Sequence, residues 1–281
     1  MVSRKVCRKL ESADALLERI EFLGCDEVSR IYFPDEDPLN RVVTKGLKKG
    51  YIVNYSEWEE ILLVGEGDFS FSLGLARALG DGTNMIATSL DRPDNLHRKY
   101  SNGIENVREL RALGCRVLHG IAVRWMSRHA FLQSKKFHKI VFNFPYANLR
   151  FPDECEKQIR LHRDLMKGFF SNARALLAEG GEVHVSHKLT YPYDEWHVEE
   201  IAEHNGLQLI KCVPFRISDY PGYSNKRGYG NDGLSDTSFP LGASGTFKFT
   251  AADQNSVRPR PTPTCFPVIC RRRKISKREV V

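Results

Sequence analysis

Long apolar stretches are missing from this 281-residue chain. No segment reaches the ~18 consecutive apolar residues that a membrane span needs, and no apolar run follows a charged start as in a secretory signal. The seven cysteines are scattered, odd in number and never spaced as C-x-x-C, which argues against a disulfide framework. We therefore expect a soluble intracellular protein with reduced thiols, no membrane contact and no metal.

Acidic residues are in short supply relative to basic ones. The chain carries 42 lysines and arginines against 35 aspartates and glutamates, so its net charge is +7. This balance favours an anionic partner such as nucleic acid, although charge alone does not distinguish RNA from DNA or from a membrane surface. Part of the excess lies in 271–278, where a solvated end and a nuclear-entry or RNA-contact patch are equal alternatives.

The length of the chain suggests its domain organisation. A single core stops growing near ~250–300 residues, so there is room for one large domain with appendages. We expect an N-terminal extension over 1–50, with one amphipathic helix candidate at 12–23, and a main domain over 51–252. The basic, Pro-rich segment 253–281 is expected to be a disordered tail.

The main domain alternates strand and helix patterns. Residues 61–64 form a short, continuous apolar run that ends at a glycine, which is typical of a strand buried on both faces. Further strands are predicted at 85–90, 115–119, 139–144, 182–187, 207–213 and 245–249, and helices at 70–79, 100–113, 165–177 and 194–204. This order predicts an α/β fold with a mostly parallel sheet, helices on both faces and an antiparallel last strand.

The loop after the first strand of this pattern is the candidate ligand site, because ligands of open α/β sheets bind beyond the carboxyl ends of the strands. It contains Gly65 and Gly67 but lacks the third glycine of a dinucleotide fingerprint. Its acidic residues Glu66 and Asp68 disfavour a pyrophosphate and tolerate a cationic ligand. Adenosylmethionine, which carries an ammonium and a sulfonium and no phosphate, fits these requirements.

Asp91 stands at the end of the second predicted strand. A carboxylate in that place can accept hydrogen bonds from both hydroxyls of a ribose. The alternative is that Gly65 and Gly67 only make a tight turn and that Asp91 caps a helix, and a bare G-x-G motif leaves the two interpretations equal.

Several longer segments together point to one family. They are 61–76 (ILLVGEGDFSFSLGLA), 119–120 (HG), 142–145 (FNFP), 220–228 (YPGYSNKRG) and 245–249 (GTFKF). Read as a set, they resemble the family of 25S rRNA (uridine-N3)-methyltransferases. The similarity extends over roughly 52 to 249, which makes a chance match of one short motif a weak explanation.

The resemblance implies a Rossmann-like class I methyltransferase with a seven-stranded sheet. It also implies S-adenosyl-L-methionine as methyl donor, a uridine in large-subunit ribosomal RNA or a pre-ribosome as substrate, and work in the nucleolus or nucleus, with the cytoplasm as a further compartment. The cofactor-binding residues it implies are Gly65, Glu66, Gly67, Asp68, Phe69, Ser70, Asp91 and His119. The acceptor edge it implies consists of Asn143, Phe144 and Pro145.

The sequence departs from the family pattern in two places. After His119 and Gly120 the family pattern continues with an apolar residue and then Asp-Ala-Thr, where this chain has Ile121 and then Ala122 in place of the acid. Related methyltransferases use that carboxylate to accept the adenine amino group, and losing one such hydrogen bond costs ~0.5–1.5 kcal/mol, or about tenfold in affinity. Tyr146 and the two residues after it replace a histidine followed by small residues.

Methylation of uracil N3 needs an unpaired base, because N3 lies on the base-pairing edge. Asn143 could read the imide edge, and Phe144 or Tyr146 could stack on the base. The N3 proton must also be removed, and Asp68 is the first candidate to accept it, ahead of His187. For His184 and His187 the favoured interpretation is nevertheless a surface position on an alternating strand.

The segment 220–230 mixes tyrosines, glycines and basic residues, which suits the stacking of bases and the contact of phosphates. A well-packed structural loop is the alternative. The predicted RNA-binding residues are Tyr146, Lys188, Tyr220, Tyr223, Lys226 and Arg227. Trp125 and Trp196 are expected to be packing residues.

Two other functions are compatible with these patterns. One is a catalytically weakened RNA-binding or ribosome-assembly factor on the same fold, which Ala122 keeps open. The other is a methyltransferase for a small molecule or a protein, which gives no use to the basic excess or to the tyrosine-rich segment. The sequence does not indicate the oligomeric state.

Overall fold

The computed structural model describes residues 51–52, 55–147, 150–229 and 233–252. The expected N-terminal extension and basic tail lie outside the described residues. The strands are β1 (Tyr51–Ile52), β2 (Tyr55–Ser56), β3 (Ile61–Val64), β4 (Met85–Ser89), β5 (Arg116–His119), β6 (Phe137–Asn143), β7 (Leu177–Lys188), β8 (Leu207–Pro214) and β9 (Ser244–Ala251). The α-helices are α1 (Ser70–Leu79), α2 (Pro93–Lys99), α3 (Gly103–Ala112), α4 (Glu156–Leu176) and α5 (Val198–His204), and short 3-10 helices lie at Val123–Arg128, Asp194–Trp196, Ile217–Asp219 and Leu234–Asp236.

Seven of these strands form one sheet in the order β5-β4-β3-β6-β7-β9-β8. The first five in this order are parallel, and β9 runs antiparallel to both β7 and β8. This is the Rossmann-like arrangement of class I methyltransferases, so the predicted fold class is confirmed. β1 and β2 form a separate antiparallel pair.

The strand order reverses between β3 and β6, which lie side by side although two strands and three helices separate them in the chain. The strands pair in parallel with Val64 opposite Phe142, so Gly65 and Asn143 follow at the same edge of the sheet. Crevices at such a reversal are where open α/β sheets bind ligands. The topology therefore brings the glycine loop and the predicted acceptor edge together.

Helices cover both faces of the sheet. On one face α4 and α5 bury residues such as Phe170 and Ile201 against β7 and β9, and on the other face α1 and α3 bury Leu75 and Leu110 against β3 and β4. All four residues of β3 are buried, as its apolar sequence predicts. None of the helices within the described ranges is long and apolar enough to cross a membrane.

The helix predicted at 100–113 is confirmed as α3, and the preceding helix α2 was not predicted. Two other sequence-based expectations about local structure are wrong. The helix predicted at 194–204 is divided at His197, whose φ is +53°. His184 and His187 are buried rather than on the surface. The physical reason is that β7 lies between β6 and β9 in the sheet and is covered on both faces.

Candidate functional site

A cavity of about 350 Å³ lies where the strand order reverses, and we call it the first cavity. Its volume is in the range of small-molecule and cofactor pockets. Of the predicted cofactor-binding residues, the structure brings five to its wall: Gly65, Glu66, Gly67, Asp68 and Asp91.

Gly65 makes the turn out of β3. Its φ of +69° belongs to the left-handed region that glycine adopts at little cost, and an added Cβ would lie 2.4 Å from Cε2 of Phe142. The next residue, Glu66, donates its N–H to the Thr88 carbonyl at 2.8 Å and accepts the N–H of Ser72 on Oε2 at 3.2 Å. Burial raises the pKa of the Glu66 carboxyl to about 7. The turn thus places a titratable carboxyl at the wall of the first cavity.

The end of the glycine loop starts helix α1. Asp68 accepts the Ser70 N–H on Oδ1 at 2.9 Å, so Asp68 rather than Ser70 satisfies a free N–H of the first turn. Burial raises the pKa of the Asp68 carboxyl. Phe69 is fully buried with a φ of +63°, and the Ser70 hydroxyl exchanges hydrogen bonds with the backbone of Ser224 at 3.0 and 3.2 Å. Phe69 and Ser70 therefore shape the loop without lining the first cavity.

Asp91 lies at the first cavity and does not cap a helix. The helix that follows begins at Pro93, and no side chain caps it. The Asp91 carboxylate accepts the Lys99 ammonium at 2.8 and 3.0 Å, and Lys99 also donates to the Gly228 carbonyl at 3.3 Å. His119 lies behind this pair, with Nδ1 3.1 Å from the Asp91 carbonyl, and does not line the cavity.

The wall beyond β5 is apolar. Ile121, Ala122 and Val123 line the first cavity in sequence, and Ala122 is the residue at which the resemblance implied an acid. This wall offers a flat ring an apolar surface without a side-chain acceptor. Arg124 follows them at the rim.

Asn143, at the end of β6, carries an unpaired hydrogen-bond donor. Its Oδ1 accepts the Ser186 hydroxyl at 2.7 Å, while its Nδ2 is buried and has no partner among the described residues. Buried polar atoms without a hydrogen-bond partner are rare, because no protein contact replaces the hydrogen bonds that they lose to water. The next residue, Phe144, has a φ of +47°, a sparsely populated conformation for a residue other than glycine. The predicted acceptor edge therefore combines a free donor with a constrained backbone.

A second cavity of about 310 Å³ adjoins the first, and we call it the second cavity. The two walls share Phe144, Tyr146, Lys226, Arg227, Tyr229 and Phe239. The predicted residues Pro145 and Lys188 line only the second cavity, as do Asp153, His187, Tyr193 and Trp196.

Asp153 and Tyr193 belong to the second cavity but carry no sequence signal of it. Asp153 accepts the hydroxyl protons of Tyr146 and, at 3.1 Å, of Tyr193, which fixes both phenol rings in the wall. Tyr146 stacks on Tyr229 with ring centroids 5.1 Å apart and planes at 13°. Asp153 lies in a polar segment between β6 and α4, where one more acid is unremarkable, and only the fold brings it to the site.

His187 is a neutral imidazole at physiological pH. Burial lowers its pKa to about 4. Its Nε2 lies 3.0 Å from the Tyr193 carbonyl oxygen, which can only accept a hydrogen bond, so Nε2 carries the ring proton and Nδ1 keeps a lone pair. A neutral His187 can accept a hydrogen bond, but a group with this pKa is a weak base.

Lys188 places a cation between two aromatic rings. Its Nζ lies 4.5 Å from the ring centroid of Tyr193 and 5.3 Å from that of Phe239. Burial lowers the pKa of the Lys188 ammonium. Within the described ranges no carboxylate forms an ion pair with it. The Asp153 carboxylate of the same cavity stabilises the ammonium without a close ion pair, and a negatively charged ligand there would pair with it directly.

The tyrosine-rich segment, residues 220–229, contributes to the walls of both cavities instead of forming an outward-facing surface. Tyr220 is buried and stacks on Phe215 with centroids 5.5 Å apart, so it lines neither cavity. Tyr223 lines the first cavity, and Lys226 and Arg227 line both. Lys226 is paired with Asp236 at 2.8 Å and lies 3.9 Å from Asp68. Lys226 therefore links the tyrosine-rich segment to the glycine loop.

Metal ligands do not cluster in the part of the chain that the structure describes. No group of three or more histidine, cysteine, aspartate or glutamate side chains there could hold a metal ion. The described cysteines, Cys115, Cys155 and Cys212, are free thiols.

Comparison with known proteins places this chain in a family. The family model described as "BMT5-like: rRNA (uridine-N3-)-methyltransferase BTM5-like" matches residues 62–227. An uncharacterised protein of Arabidopsis thaliana, At4g26485, is 42% identical over 206 residues, which cover 73% of this chain and 98% of that protein. The 25S rRNA (uridine(2634)-N(3))-methyltransferase of Saccharomyces cerevisiae is 28% identical, over 64% of this chain and 69% of the yeast protein.

Solved structures show a more distant likeness. NSun6 from Pyrococcus horikoshii is 16% identical with a TM-score of 0.48, and the match covers 70% of this chain and 49% of that one. The family model spans more than half of the chain. S-adenosylmethionine is the methyl donor that this fold and family use. The protein is therefore an S-adenosylmethionine-dependent methyltransferase and belongs to the BMT5-like family of rRNA (uridine-N3-)-methyltransferases.

Proposed function

We propose that this protein methylates N3 of a uridine in large-subunit ribosomal RNA. The observation that carries the proposal is that two adjoining cavities share the wall residues Phe144 and Tyr146, and that Asn143, which precedes Phe144, lines the first cavity. The first cavity suits the methyl donor and the second suits an unpaired base. The yeast relative named for this reaction supports the choice of substrate. Work in the nucleolus or nucleus is part of the same proposal.

The first cavity fits S-adenosylmethionine by the chemistry of its wall. Asp91 would accept the ribose hydroxyls, sharing its carboxylate with Lys99. Glu66 and Asp68 would lie near the positive charges of the amino-acid end. Ala122 and its apolar neighbours would cover the adenine without accepting from its amino group. When bound, the donor supplies an electrophilic methyl group.

The second cavity fits a uracil turned out of its strand. Flipped bases are commonly held between aromatic side chains and read by hydrogen bonds to their pairing edge. The rings of Tyr146, Tyr193 and Trp196 line this cavity. The unpaired Nδ2 of Asn143 would donate to a uracil carbonyl at the corner between the cavities. Asp153 would keep both tyrosine rings in place.

Removal of the N3 proton places a negative charge on the imide, shared between N3 and the two carbonyl oxygens. Lys188 would stabilise that charge, because its ammonium lies in the wall without a carboxylate partner among the described residues. Asp68, our first candidate for the base, lines the first cavity and already accepts a hydrogen bond on Oδ1. His187 lines the second cavity and could accept the imide N–H on Nδ1 before the proton leaves for solvent.

A second candidate function is an RNA-binding or ribosome-assembly factor with weakened catalysis. The observation that favours it is the apolar wall at Ala122, which lacks the acceptor for the adenine amino group. A lost neutral hydrogen bond costs ~0.5–1.5 kcal/mol, which weakens donor binding without abolishing it. This candidate predicts RNA binding without methyl transfer.

Donor binding and product analysis separate the two candidates. Calorimetry with S-adenosylmethionine should show binding, and Gly67→Arg should remove it, because an added Cβ at Gly67 already lies 3.3 Å from the Tyr100 hydroxyl and a longer side chain would fill the cavity. Mass spectrometry should find 3-methyluridine in a large-subunit RNA transcript incubated with the wild-type protein and not with Gly67→Arg. Ribosomal RNA from cells lacking the protein should lose that nucleoside. An unchanged 3-methyluridine content would refute the substrate.

A further inference from the structure

A surface beside the first cavity carries a strong positive charge. Between Glu109 and Asp153 the chain contains no aspartate or glutamate. The same stretch contains the basic residues Arg111, Arg116, Arg124, Arg128, Lys135, Lys136, Lys139 and Arg150, of which Lys139 is buried and paired with Glu182 and so adds nothing to the surface charge. It includes β5, the edge strand of the sheet, and the 3-10 helix at Val123–Arg128. Long acid-free stretches with regular basic residues are typical of surfaces that contact nucleic acid.

Two aromatic rings of this surface, the exposed Trp125 and the partly buried Phe131, contact basic side chains. Trp125 is 55% exposed, and the guanidinium carbon of Arg128 lies 5.0 Å from its ring centroid. The Phe131 ring is covered in the same way by Arg116 at 4.4 Å and by Lys135 at 5.4 Å. Sequence patterns suggested a packing role for Trp125, and the exposure of its ring makes that expectation wrong. We call this surface the basic edge; its members are Arg116, Arg124, Trp125, Arg128, Phe131 and Lys135.

The backbone beneath Trp125 is firmly held. Asn172 of helix α4 accepts the N–H of Ser127 at 3.0 Å and its hydroxyl at 2.6 Å, and it donates to the Arg124 carbonyl at 3.0 Å. The exposed indole is therefore mounted on an anchored helix and does not belong to a loose loop. A fixed, exposed indole is costly in water and well prepared to bind a flat partner.

The charges of the basic edge are free to bind an anion. Arg116, Arg124 and Arg128 form no ion pair with a carboxylate anywhere in the described ranges. Arg124 also reaches the rim of the first cavity, so the basic edge is continuous with the proposed donor site. The alternation of flat rings and guanidinium groups matches the alternation of bases and phosphates in a single strand.

We infer that the basic edge binds the single-stranded RNA that flanks the target nucleotide, with an unpaired base stacked on Trp125 and phosphates on Arg116 and Arg128. This inference rests on the proposed RNA substrate. An acidic protein partner would use the charges but has no need of an exposed indole with a guanidinium over its face. The ring therefore favours RNA.

Fluorescence and binding measurements test the inference with matched controls. Trp125→Ala should weaken binding of a short uridine-containing single strand roughly 5- to 100-fold, as expected for one base–aromatic stack. Trp58→Ala is the control, because Trp58 is 80% exposed and lies outside the basic edge. Arg128→Ala should reduce the slope of log affinity against log salt by about one, and Arg108→Ala, an exposed arginine paired with Glu105, should not.

The emission of Trp125 gives a direct readout. RNA should quench the tryptophan fluorescence of the wild-type protein and of Trp58→Phe, and the quenching should be clearly smaller in Trp125→Phe, where Trp196 of the second cavity is the tryptophan left beside RNA. Donor affinity by calorimetry should stay unchanged in every variant. Equal RNA affinity and equal quenching with and without Trp125 would overturn the inference. Binding of a protein instead of RNA at the basic edge would overturn it too. A wild-type protein that binds donor but methylates no RNA would overturn the proposed function instead.

Discussion

Gly65→Ala tests whether the turn out of β3 needs glycine for its backbone, for its space, or for both. The left-handed conformation costs a residue with a side chain about 1–2 kcal/mol. The new Cβ would also lie 2.4 Å from Cε2 of Phe142, a ring that is itself packed on Phe169 with centroids 5.0 Å apart. Overpacking of this kind costs about 1–3 kcal/mol. We expect Gly65→Ala to lower the free energy of unfolding by about 2–5 kcal/mol.

Gly120→Ala separates the two contributions. Gly120 has almost the same conformation, with a φ of +72°, but an added Cβ there would meet nothing within 4 Å. Its replacement should therefore cost only the backbone contribution of about 1–2 kcal/mol. The difference between the two variants measures the contact with Phe142.

Urea unfolding followed by circular dichroism gives both free energies, and calorimetry with S-adenosylmethionine gives the effect on the donor site. Gly65→Ala should also weaken donor binding, because relief of the clash moves either the glycine loop or the Phe142 ring, and both line the first cavity. Equal losses of stability in Gly65→Ala and Gly120→Ala would show that Phe142 yields without cost and would refute the reasoning.

Three further predictions concern charges in the site. Asp91→Asn should weaken donor binding about 10- to 100-fold by calorimetry, whereas Lys99→Met should leave it unchanged or strengthen it, because Lys99 competes for the same carboxylate. Burial raises the pKa of the Glu66 carboxyl to about 7, so between about pH 5 and 7 the folded protein holds a proton that the unfolded chain has lost. Glu66 therefore makes the free energy of unfolding fall as the pH rises through that interval. Glu66→Gln should remove this contribution, which urea unfolding of variant and wild type at a series of pH values measures. The buried neutral His184 and His187 contribute in the opposite direction, but equally in both proteins, so their effect cancels in the difference. Lys188→Gln should slow methylation about 100-fold. A transcript with 5-fluorouridine, whose N3 proton is more acidic, should recover much of the rate of this variant. Equal losses of rate on both substrates would contradict the proposal that Lys188 stabilises the negative charge of the imide.

The fold could be predicted from the sequence where apolar runs and glycines coincide. The run 61–64 followed by Gly65 identified the central strand and its turn, and the acid at position 91 identified the neighbouring strand end. Both lie at the first cavity because topology alone brings the ends of adjacent parallel strands together. Patterns within a few residues were sufficient for this half of the site.

The second cavity could not be predicted in the same way. Asp153 precedes helix α4, whereas Tyr193 and Trp196 follow strand β7, and only packing brings these two segments to one wall. The burial of His187 depends on the insertion of β9 beside β7, which alternation along a single strand does not reveal. Tyr220 shows the opposite error, since a tyrosine in a glycine-rich segment suggested contact with RNA and the structure packs it on Phe215.

The position of β9 in the sheet affects how the protein can be made. Among the described residues β9 is the last strand of the sheet in chain order, yet it lies between β7 and β8. During synthesis both neighbours keep unpaired edges until residue 251 has left the ribosome, and such edges are prone to wrong pairing. The half of the sheet that carries His187 and Lys188 is thus the last to be completed, however early the glycine loop and its neighbours have folded.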